Sequence, residues 1–268
     1  MPLKYVTRAV GGFVEDTVQG AGNYAVFVGR GIQKTFRPLV KSNLLFAQLE
    51  FVGNRSLVIC ILAGIMIGGI FGFQLGEIFV TFGTESMLGA STGFALAREL
   101  APVVGAFLVT ARAGSAMAAE IASMKVNEQI DAMRVMAVDP YNYLVAPRIL
   151  ASVLMMPLLS SLMVVVGVAA AYVVGVYFYN VDVADFFSKI EWIIDTDDLF
   201  MGIQKSMLFG FIFASIGCYE GFNAQGGAKG VGRATTRAVV NSYVAILILD
   251  FFITYFQFKF QADSFKIK

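Results

Sequence analysis

The sequence predicts an all-α integral membrane protein: about five transmembrane helices, N-terminal interfacial or connecting helices, and a short cytoplasmic helix. Of its 268 residues, 57% are hydrophobic and only 15% are charged, whereas soluble domains average about 45–50% and about 25%. The apolar residues form several segments long enough to cross a hydrocarbon layer of about 30 Å. Basic residues also collect on one side of these segments. These three observations exclude an ordinary soluble domain.

Composition also narrows the chemistry. The chain has no histidine, two cysteines and a net charge of +1. Because Cys60 and Cys218 both lie in apolar segments, neither a disulfide framework nor a zinc ribbon is expected. We therefore predict no catalytic residue, no metal site and no nucleic-acid partner.

Residues 1–50 are predicted to form one or two interfacial or connecting helices at the membrane surface, before a transmembrane domain at 51–268. A signal peptide is not predicted, because Glu15 and Asp16 interrupt the region where its apolar core should lie. The alternative for this region is a poorly ordered tail.

Five segments are long and apolar enough to be transmembrane helices. The third contains no charged residue in 31 positions, and Pro157 near its start predicts a kink. The fourth is interrupted by Lys205. The predicted spans are 56–82, 94–122, 149–179, 199–222 and 238–258.

Counting lysine and arginine predicts the orientation of these spans. With the N-terminus inside, the inner segments carry thirteen basic residues and the outer segments four. This asymmetry satisfies the positive-inside rule and predicts a cytoplasmic N-terminus and an external C-terminus. The outer segment 180–198 carries six acidic residues.

A glycine recurs every fourth residue along the first span. At helical spacing, such small residues form a stripe that lets another helix approach closely in lipid. We expect this stripe to pack within the subunit or across a dimer; the alternative is that it leaves room for a lipid chain or a moving helix. The stripe consists of Gly64, Gly68, Gly72 and Gly76.

Ionisable residues on four of the spans fall at a similar depth in the outer half of the bilayer. At 1.5 Å per residue, they lie about 8–12 Å from the outer ends of their helices. Lys205 and Asp250 are on consecutive antiparallel helices and are predicted to form an ion pair. Arg98 and Glu99 point about 100° apart and need other partners. The candidate lipid-binding residues are Arg98, Glu99, Glu77, Lys205 and Asp250.

Two interpretations of this charged layer remain open. Charges at this depth normally face the protein interior, pair with one another or line a wet cavity. They therefore either fix the register of the helices or form a polar seat for the headgroup of an amphiphile. Arg112 and Glu120 lie closer to the inner face, where snorkelling or pairing at the interface is the ordinary explanation.

The inner segment MKVNEQIDAMRVMAVDP predicts a short amphipathic helix over 128–137. Asn127 is a favourable N-cap, and Ile130, Met133 and Ala137 repeat at helical spacing. Acidic residues at its start and Arg134 near its end complement the helix dipole. The helix is either a plain surface helix or a docking element for a cytoplasmic partner.

The last inner segment, GFNAQGGAKGVGRATTRAV, approximates a P-loop but fails at its functional positions. Arg233 stands where the lysine is required and Ala234 where the Ser or Thr is required, and no strand precedes them. The chain is therefore predicted to hold no nucleotide, and any ATP dependence must come from another subunit.

Several stretches resemble the MlaE-type permeases, the membrane subunits of ABC lipid transporters that work with MCE proteins. The resemblance covers about residues 45–258 in order. It is carried by QLEFVGNRSL, by ARELAPVVGAFLVTARAGSAMAAEIASMKVNEQIDAMRVMAVDPYNYLVAPRILA, by GGAKGVGRATTRAVV and by LILDFF.

This resemblance implies a homodimer in the bacterial inner membrane, bound to a cytoplasmic ABC ATPase that holds the ATP and magnesium. It also implies an MCE-domain hexamer on the periplasmic side and, in some systems, a STAS-domain accessory. Phospholipid is expected near Arg98 and Glu99 at the dimer interface. The 128–137 helix is expected to couple to the ATPase through Glu128, Gln129, Asp131 and Arg134.

Two other functions are weighed against this one. An intramembrane lipid-modifying enzyme would use the charged layer as its active site, but the chain has no histidine and no recognisable nucleophile with a base. A structural membrane anchor for a periplasmic complex would leave the 128–137 helix without a role.

Overall fold

A computed structural model describes residues 2–35 and 42–265, with side chains for 18–34 and 42–259. Within these ranges the protein is helical and has no β-strand, which confirms the predicted fold class. Among the described residues, five helical runs are long and apolar enough to cross a membrane. They are span 1 (Ser42–Phe82), span 2 (Glu85–Val126), span 3 (Tyr141–Tyr179), span 4 (Thr196–Phe222) and span 5 (Gly227–Phe265, apolar to Lys259).

In the described part of the chain, three further helices lie outside the spans: α1 (Pro2–Thr35), α2 (Gln129–Val135) and α3 (Val183–Ile193). Because successive spans are antiparallel, α2 lies at one end of the bundle and α3 at the other. We call these the α2 end and the α3 end.

Every described span begins or ends outside its predicted range. The segment 83–93, predicted as a loop, is mostly helical, because span 2 already starts at Glu85. Likewise the loop predicted at 223–237 is reduced to 223–226, and Gly227 starts span 5. Hydropathy detects the apolar part of a helix, whereas its polar ends continue into the interface and carry no such signal.

Four π-helical turns widen the spans: Glu50–Asn54 in span 1, Leu96–Leu100 and Thr110–Gly114 in span 2, and Tyr141–Val145 in span 3. Pro102 and Pro147 each lie two residues after one of these turns. Since proline has no N–H, it cannot donate to the carbonyl four residues earlier. The neighbouring backbone hydrogen bonds of the helix therefore shift to the wider π-helical pattern. Arg98, Glu99 and Arg112 therefore all project from widened turns.

The glycine stripe of span 1 packs against span 3 within the same subunit, and all four glycines are buried. A Cβ on Gly68 would overlap the backbone carbonyl of Gly167, and one on Gly64 would lie 2.9 Å from the carbonyl oxygen of Met163. A Cβ on Gly72 or Gly76 would instead meet the side chain of Val174 or Tyr179. Small residues thus let the two backbones touch.

The N-terminal helix α1 is attached at the α2 end. Phe27 packs against the rings of Tyr141, Tyr219 and Phe222 at 5.4–5.5 Å. Lys34 forms an ion pair with Asp139 at 2.6 Å. Burial alone would raise the pKa of Asp139, but hydrogen bonds from Lys34 and from the N–H of Tyr141 lower it below the ordinary 3.8. This carboxylate therefore stays ionised at neutral pH.

The helix predicted at 128–137 is shorter than expected, spanning Gln129–Val135. Glu128 and Ala137, at its two ends, have positive φ angles of 58° and 57° that a helix cannot continue through. Asn127, predicted as the N-cap, instead ends span 2. Ile130 is fully buried and anchors α2 to the core.

Candidate functional site

A polar cluster joins spans 2, 4 and 5 in the half of the bundle nearer the α3 end. It consists of Glu99, Lys205, Asp250 and Thr254, and we call it the Lys205 cluster. Lys205 Nζ lies 2.5 Å from Glu99 Oε2, 2.6 Å from Thr254 Oγ1 and 3.0 Å from Asp250 Oδ1. The Thr254 hydroxyl also lies 3.2 Å from Glu99 Oε1.

Lys205 is fully buried, so these three partners take the place of water around its ammonium group. An ammonium group has three N–H donors. Two of them are well placed for hydrogen bonds to Glu99 and Thr254, and the contact with Asp250 is an ion pair without hydrogen-bond alignment. A buried charge of this kind persists only when it is paired and hydrogen-bonded.

Arg98 lies beside the Lys205 cluster but binds a different partner. It forms an ion pair with Asp198 at the start of span 4, with Nε 2.7 Å from Oδ1. Asp198 is 3% exposed and also accepts from the backbone N–H of Asp195 at 3.0 Å, which closes a capping box. The guanidinium of Arg98 lies 4.5 Å from the ring of Phe94.

Gly202 explains how span 4 brings Asp198 to Arg98 and Lys205 to Glu99. It lies one turn after Asp198 and three residues before Lys205, and a Cβ there would overlap the carbonyl oxygen of Ala97. This close approach brings span 4 against the widened turn that carries Arg98 and Glu99. The two neighbours then diverge, one toward Asp198 and the other toward Lys205.

The structure agrees only in part with the charged layer predicted from sequence. The ion pair between Lys205 and Asp250 is confirmed, and Glu99 joins it. Glu77 is not part of the cluster. Its side chain is exposed on span 1, and it forms no ion pair among the described residues. Depth along a helix does not fix the direction around its axis.

Two members of the site were missed from sequence. Asp198 falls in the predicted outer segment 180–198, one residue before the predicted start of span 4. Thr254 is uncharged, so a count of ionisable residues does not include it, although it lies four residues after Asp250 on the same helical face. A search for polar residues one turn from each charge would have found it.

The site is only partly closed. Glu99 and Asp250 keep 39% and 20% of their side-chain surface, and Arg98 keeps 18%, whereas Lys205 has none. The accessible groups are therefore two carboxylates and a guanidinium of opposite charge, and two of them, Glu99 and Arg98, are adjacent in sequence. They can contact a zwitterionic group from outside without breaking the buried part of the cluster.

Two apolar cavities, of about 510 and 210 Å³, lie next to Ala97 and Leu199, the chain neighbours of Arg98 and Asp198. They share the side chains of Ala97, Val164, Val165 and Leu199 and extend along span 3. Their remaining walls come from spans 2–4 and α3: Gly93, Ser160, Ser161, Val168, Ala169, Tyr172, Phe187, Ile190, Glu191, Ile194, Gly202 and Ile203.

Other charged side chains cross-link the spans nearer the α2 end. Arg112 donates to the carbonyl of Phe51 at 2.5 Å and to Ser56 Oγ at 3.1 Å, and so ties the widened turns of spans 1 and 2 together. Glu120 forms an ion pair with Arg148 at 2.8 Å. Glu120 and Arg112 were predicted at this end, but their partners on other spans were not.

The residues predicted to couple to an ATPase lie on or beside α2. Glu128 and Gln129 are exposed, while Asp131 forms ion pairs with Lys125 and Arg134, each at 2.9 Å. The hydrogen bond from Lys125, together with the nearby positive charges, lowers the pKa of Asp131.

Apolar side chains follow at the end of α2 and just after it. Val135 and Met136 are 88% and 67% exposed. Exposed acids next to exposed apolar side chains are typical of a surface that another protein covers.

No group of three or more cysteine, aspartate or glutamate side chains in the described ranges could hold a metal ion.

Comparison with known proteins relates this geometry to a family. Residues 45–256 match the family model described as Permease MlaE. A probable ABC transporter permease protein of Rickettsia typhi is 37% identical over 257 residues, covering 96% of this chain and 99% of the relative. The intermembrane phospholipid transport system permease protein MlaE of Haemophilus influenzae is 37% identical over 231 residues, 85% of each chain. The chloroplastic protein TRIGALACTOSYLDIACYLGLYCEROL 1 of Arabidopsis thaliana is 34% identical over 99% of this chain and 72% of its own.

Proposed function

The chain belongs to the MlaE permease family, and from that membership we propose that it is the membrane subunit of an ABC transporter that moves phospholipids. ATP and magnesium are bound by a separate ATPase subunit, and this chain performs no catalysis. Lipid passes between the inner membrane and an MCE-domain partner on the periplasmic side.

One observation carries this proposal: partly exposed charged groups lie inside the membrane-spanning bundle, and two apolar cavities are lined by Ala97 and Leu199, the chain neighbours of Arg98 and Asp198. A phospholipid has the same division into a charged headgroup and apolar tails. Glu99, Asp250 and Arg98 contact the headgroup, and Lys205 holds the two carboxylates in place. Glu77 is left out of this role because its side chain is exposed on span 1 and makes no ion pair with the cluster among the described residues.

The proposed assembly is a homodimer in the bacterial inner membrane, with the α2 end cytoplasmic and the α3 end periplasmic. We place the second copy against span 5, which is 11% buried in its most apolar stretch and leaves a row of large apolar side chains uncovered within the subunit. The ATPase binds at the α2 end, together with a STAS-domain accessory where one is present, and the MCE-domain hexamer binds at the α3 end. The exposed row on span 5 includes Val244, Leu247, Ile248, Phe251, Phe252, Tyr255 and Phe256.

We expect Glu99→Ala to reduce the phospholipid that co-purifies with the complex. Loss of a charged hydrogen-bonding group costs about 1.5–3 kcal/mol, which corresponds to binding roughly tenfold weaker or more. Lipid bound per complex would be counted by mass spectrometry, and lipid transfer measured in proteoliposomes. Asp197→Asn is the matched control, since Asp197 is exposed and lies next to Asp198. Unchanged lipid content and transfer in Glu99→Ala would exclude the headgroup role.

We expect the double reversal Glu128→Lys and Asp131→Lys to abolish co-purification of the ATPase. It inverts the charge of the proposed docking surface and places a third cation beside Lys125 and Arg134. The control is the reversal of two exposed acids on α3, Asp185→Lys and Glu191→Lys, which should leave the ATPase bound. Retention of the ATPase by the first variant would contradict the docking assignment and leave a membrane anchor as the alternative.

A further inference from the structure

Arg148, in the first turns of span 3, is a buried charge that the proposed lipid site does not use. Its side chain is only 3% exposed. One terminal nitrogen donates to the carbonyl of Leu144 at 2.8 Å, and the other lies 2.8 Å from Glu120 Oε2. Its Nε has no hydrogen-bond partner among the described residues.

Stability alone does not account for this arrangement. Burying a guanidinium costs free energy, and its carboxylate partner Glu120 is 55% exposed, so solvent weakens the attraction between them. Replacing a buried ion pair with apolar side chains is often neutral or stabilising. What an apolar residue could not supply is a polar bond from the start of span 3, where Arg148 also holds the carbonyl of Leu144 one turn earlier, to Glu120 on span 2.

The two segments held by Arg148 are those that enter and leave α2. Glu120 lies six residues before Val126, where span 2 ends, and Leu144 belongs to the widened turn that begins span 3. The bond from Arg148 occupies the carbonyl of Leu144 within that turn. The planar guanidinium thus fixes the distance between the two ends of the α2 connection.

The α2 helix itself is bound to the same region. Ile130, its one buried residue, belongs to the large apolar core that also contains Ile121, Leu144 and Val145. A displacement of α2 can therefore reach both spans only if the end of span 2 and the start of span 3 move together with α2. The ion pair between Arg148 and Glu120 is a polar contact that joins the end of span 2 to the start of span 3.

We propose that Arg148 is a positioning residue that transmits movement of α2 to spans 2 and 3, so that ATP hydrolysis on the partner drives lipid transfer. This inference rests on the proposed function, in which α2 docks on the ATPase. Arg148 contacts neither lipid nor nucleotide and acts through Leu144 and Glu120.

The experiment uses the complete transporter reconstituted in proteoliposomes. Arg148→Met removes both contacts; Arg148→Lys keeps the charge but cannot hold both acceptors with one planar fork; Glu120→Gln keeps an acceptor and removes its charge. Arg237→Met is the matched control, because the Glu220–Arg237 ion pair at 3.4 Å joins spans 4 and 5 at the same end without involving α2. Three quantities are measured: ATPase bound per permease, ATP hydrolysis rate, and lipid transferred per ATP.

Arg148→Met should retain the ATPase and its hydrolysis rate, while lipid transferred per ATP falls about tenfold, within the range of known coupling effects. Arg148→Lys and Glu120→Gln should fall between this variant and wild type, and Arg237→Met should match wild type. If Arg148→Met does not assemble, Glu120→Gln decides, because its side chain is more than half exposed.

Two results would overturn the inference: unchanged lipid transfer per ATP, or a joint loss of ATPase binding and hydrolysis, which would mean that Arg148 only shapes the docking surface. Absence of any associated ATPase from the wild-type protein would instead overturn the proposed function.

Discussion

Replacing Lys205 with methionine should destabilise the protein by about 3 kcal/mol, since removing one partner of a buried ion pair typically costs about 3–5 kcal/mol. The variant leaves the carboxylates of Glu99 and Asp250 facing each other without a cation and removes the donor to Thr254. We place the effect at the lower end because Glu99 and Asp250 are 39% and 20% exposed. In a domain of this size, the Tm in detergent should fall by roughly 10 °C.

A surface lysine gives the matched control. Lys189→Met on α3 removes a charge that no ion pair holds among the described residues and that lies 5.5 Å from the Trp192 ring. Its stability should change by less than about 0.5 kcal/mol. Combining Lys205→Met with Glu99→Gln and Asp250→Asn should recover most of the lost stability, because no uncompensated charge then remains. A Lys205→Met protein that melts like wild type would show that the cluster is not electrostatically coupled.

The fold could be predicted from the sequence because membrane insertion depends on properties that a sequence displays directly. Twenty or so apolar residues must stand together to cross the hydrocarbon layer, and all five predicted spans are found. Helix ends were harder to predict. The segments 83–93 and 223–237 are polar or rich in glycine, which is typical of loops, yet most of each is helical.

The polar site was predictable only along the helix axes. Counting residues from the span ends brought Lys205 and Asp250 to the same level, and these two do meet. The same count placed Glu77 with them, although it points outward from span 1. Which way a side chain points depends on packing and on local changes in helical twist.

The widened turn at Leu96–Leu100 is such a change, and it affects the residues that matter most. A π-helical turn inserts an extra residue and rotates everything that follows relative to a regular helix. Pro102 and the divergence of Arg98 and Glu99 were predictable from the sequence, but which partner each side chain reaches, Asp198 or Lys205, required the structure.

Replacing Gly68 with valine should have an equally large effect through packing alone. Its Cβ would occupy the space of the Gly167 carbonyl oxygen, so span 1 and span 3 would have to move apart over their contact. Backbone cannot move aside as the end of a flexible side chain can. Overpacking typically costs about 1–3 kcal/mol and occasionally more. We expect the upper part of that range, because in lipid these helices associate through close packing.

The neighbouring residue provides a stringent control for this prediction. Gly69 lies in the same helix, and a Cβ there meets nothing within 4 Å. Because the gain in helix propensity from glycine to valine is the same at both positions, any difference between the two variants reports on the contact with span 3. Gly69→Val should melt within a few degrees of wild type, while Gly68→Val should melt well below it. Equal melting temperatures would mean that span 1 is held by contacts other than the stripe.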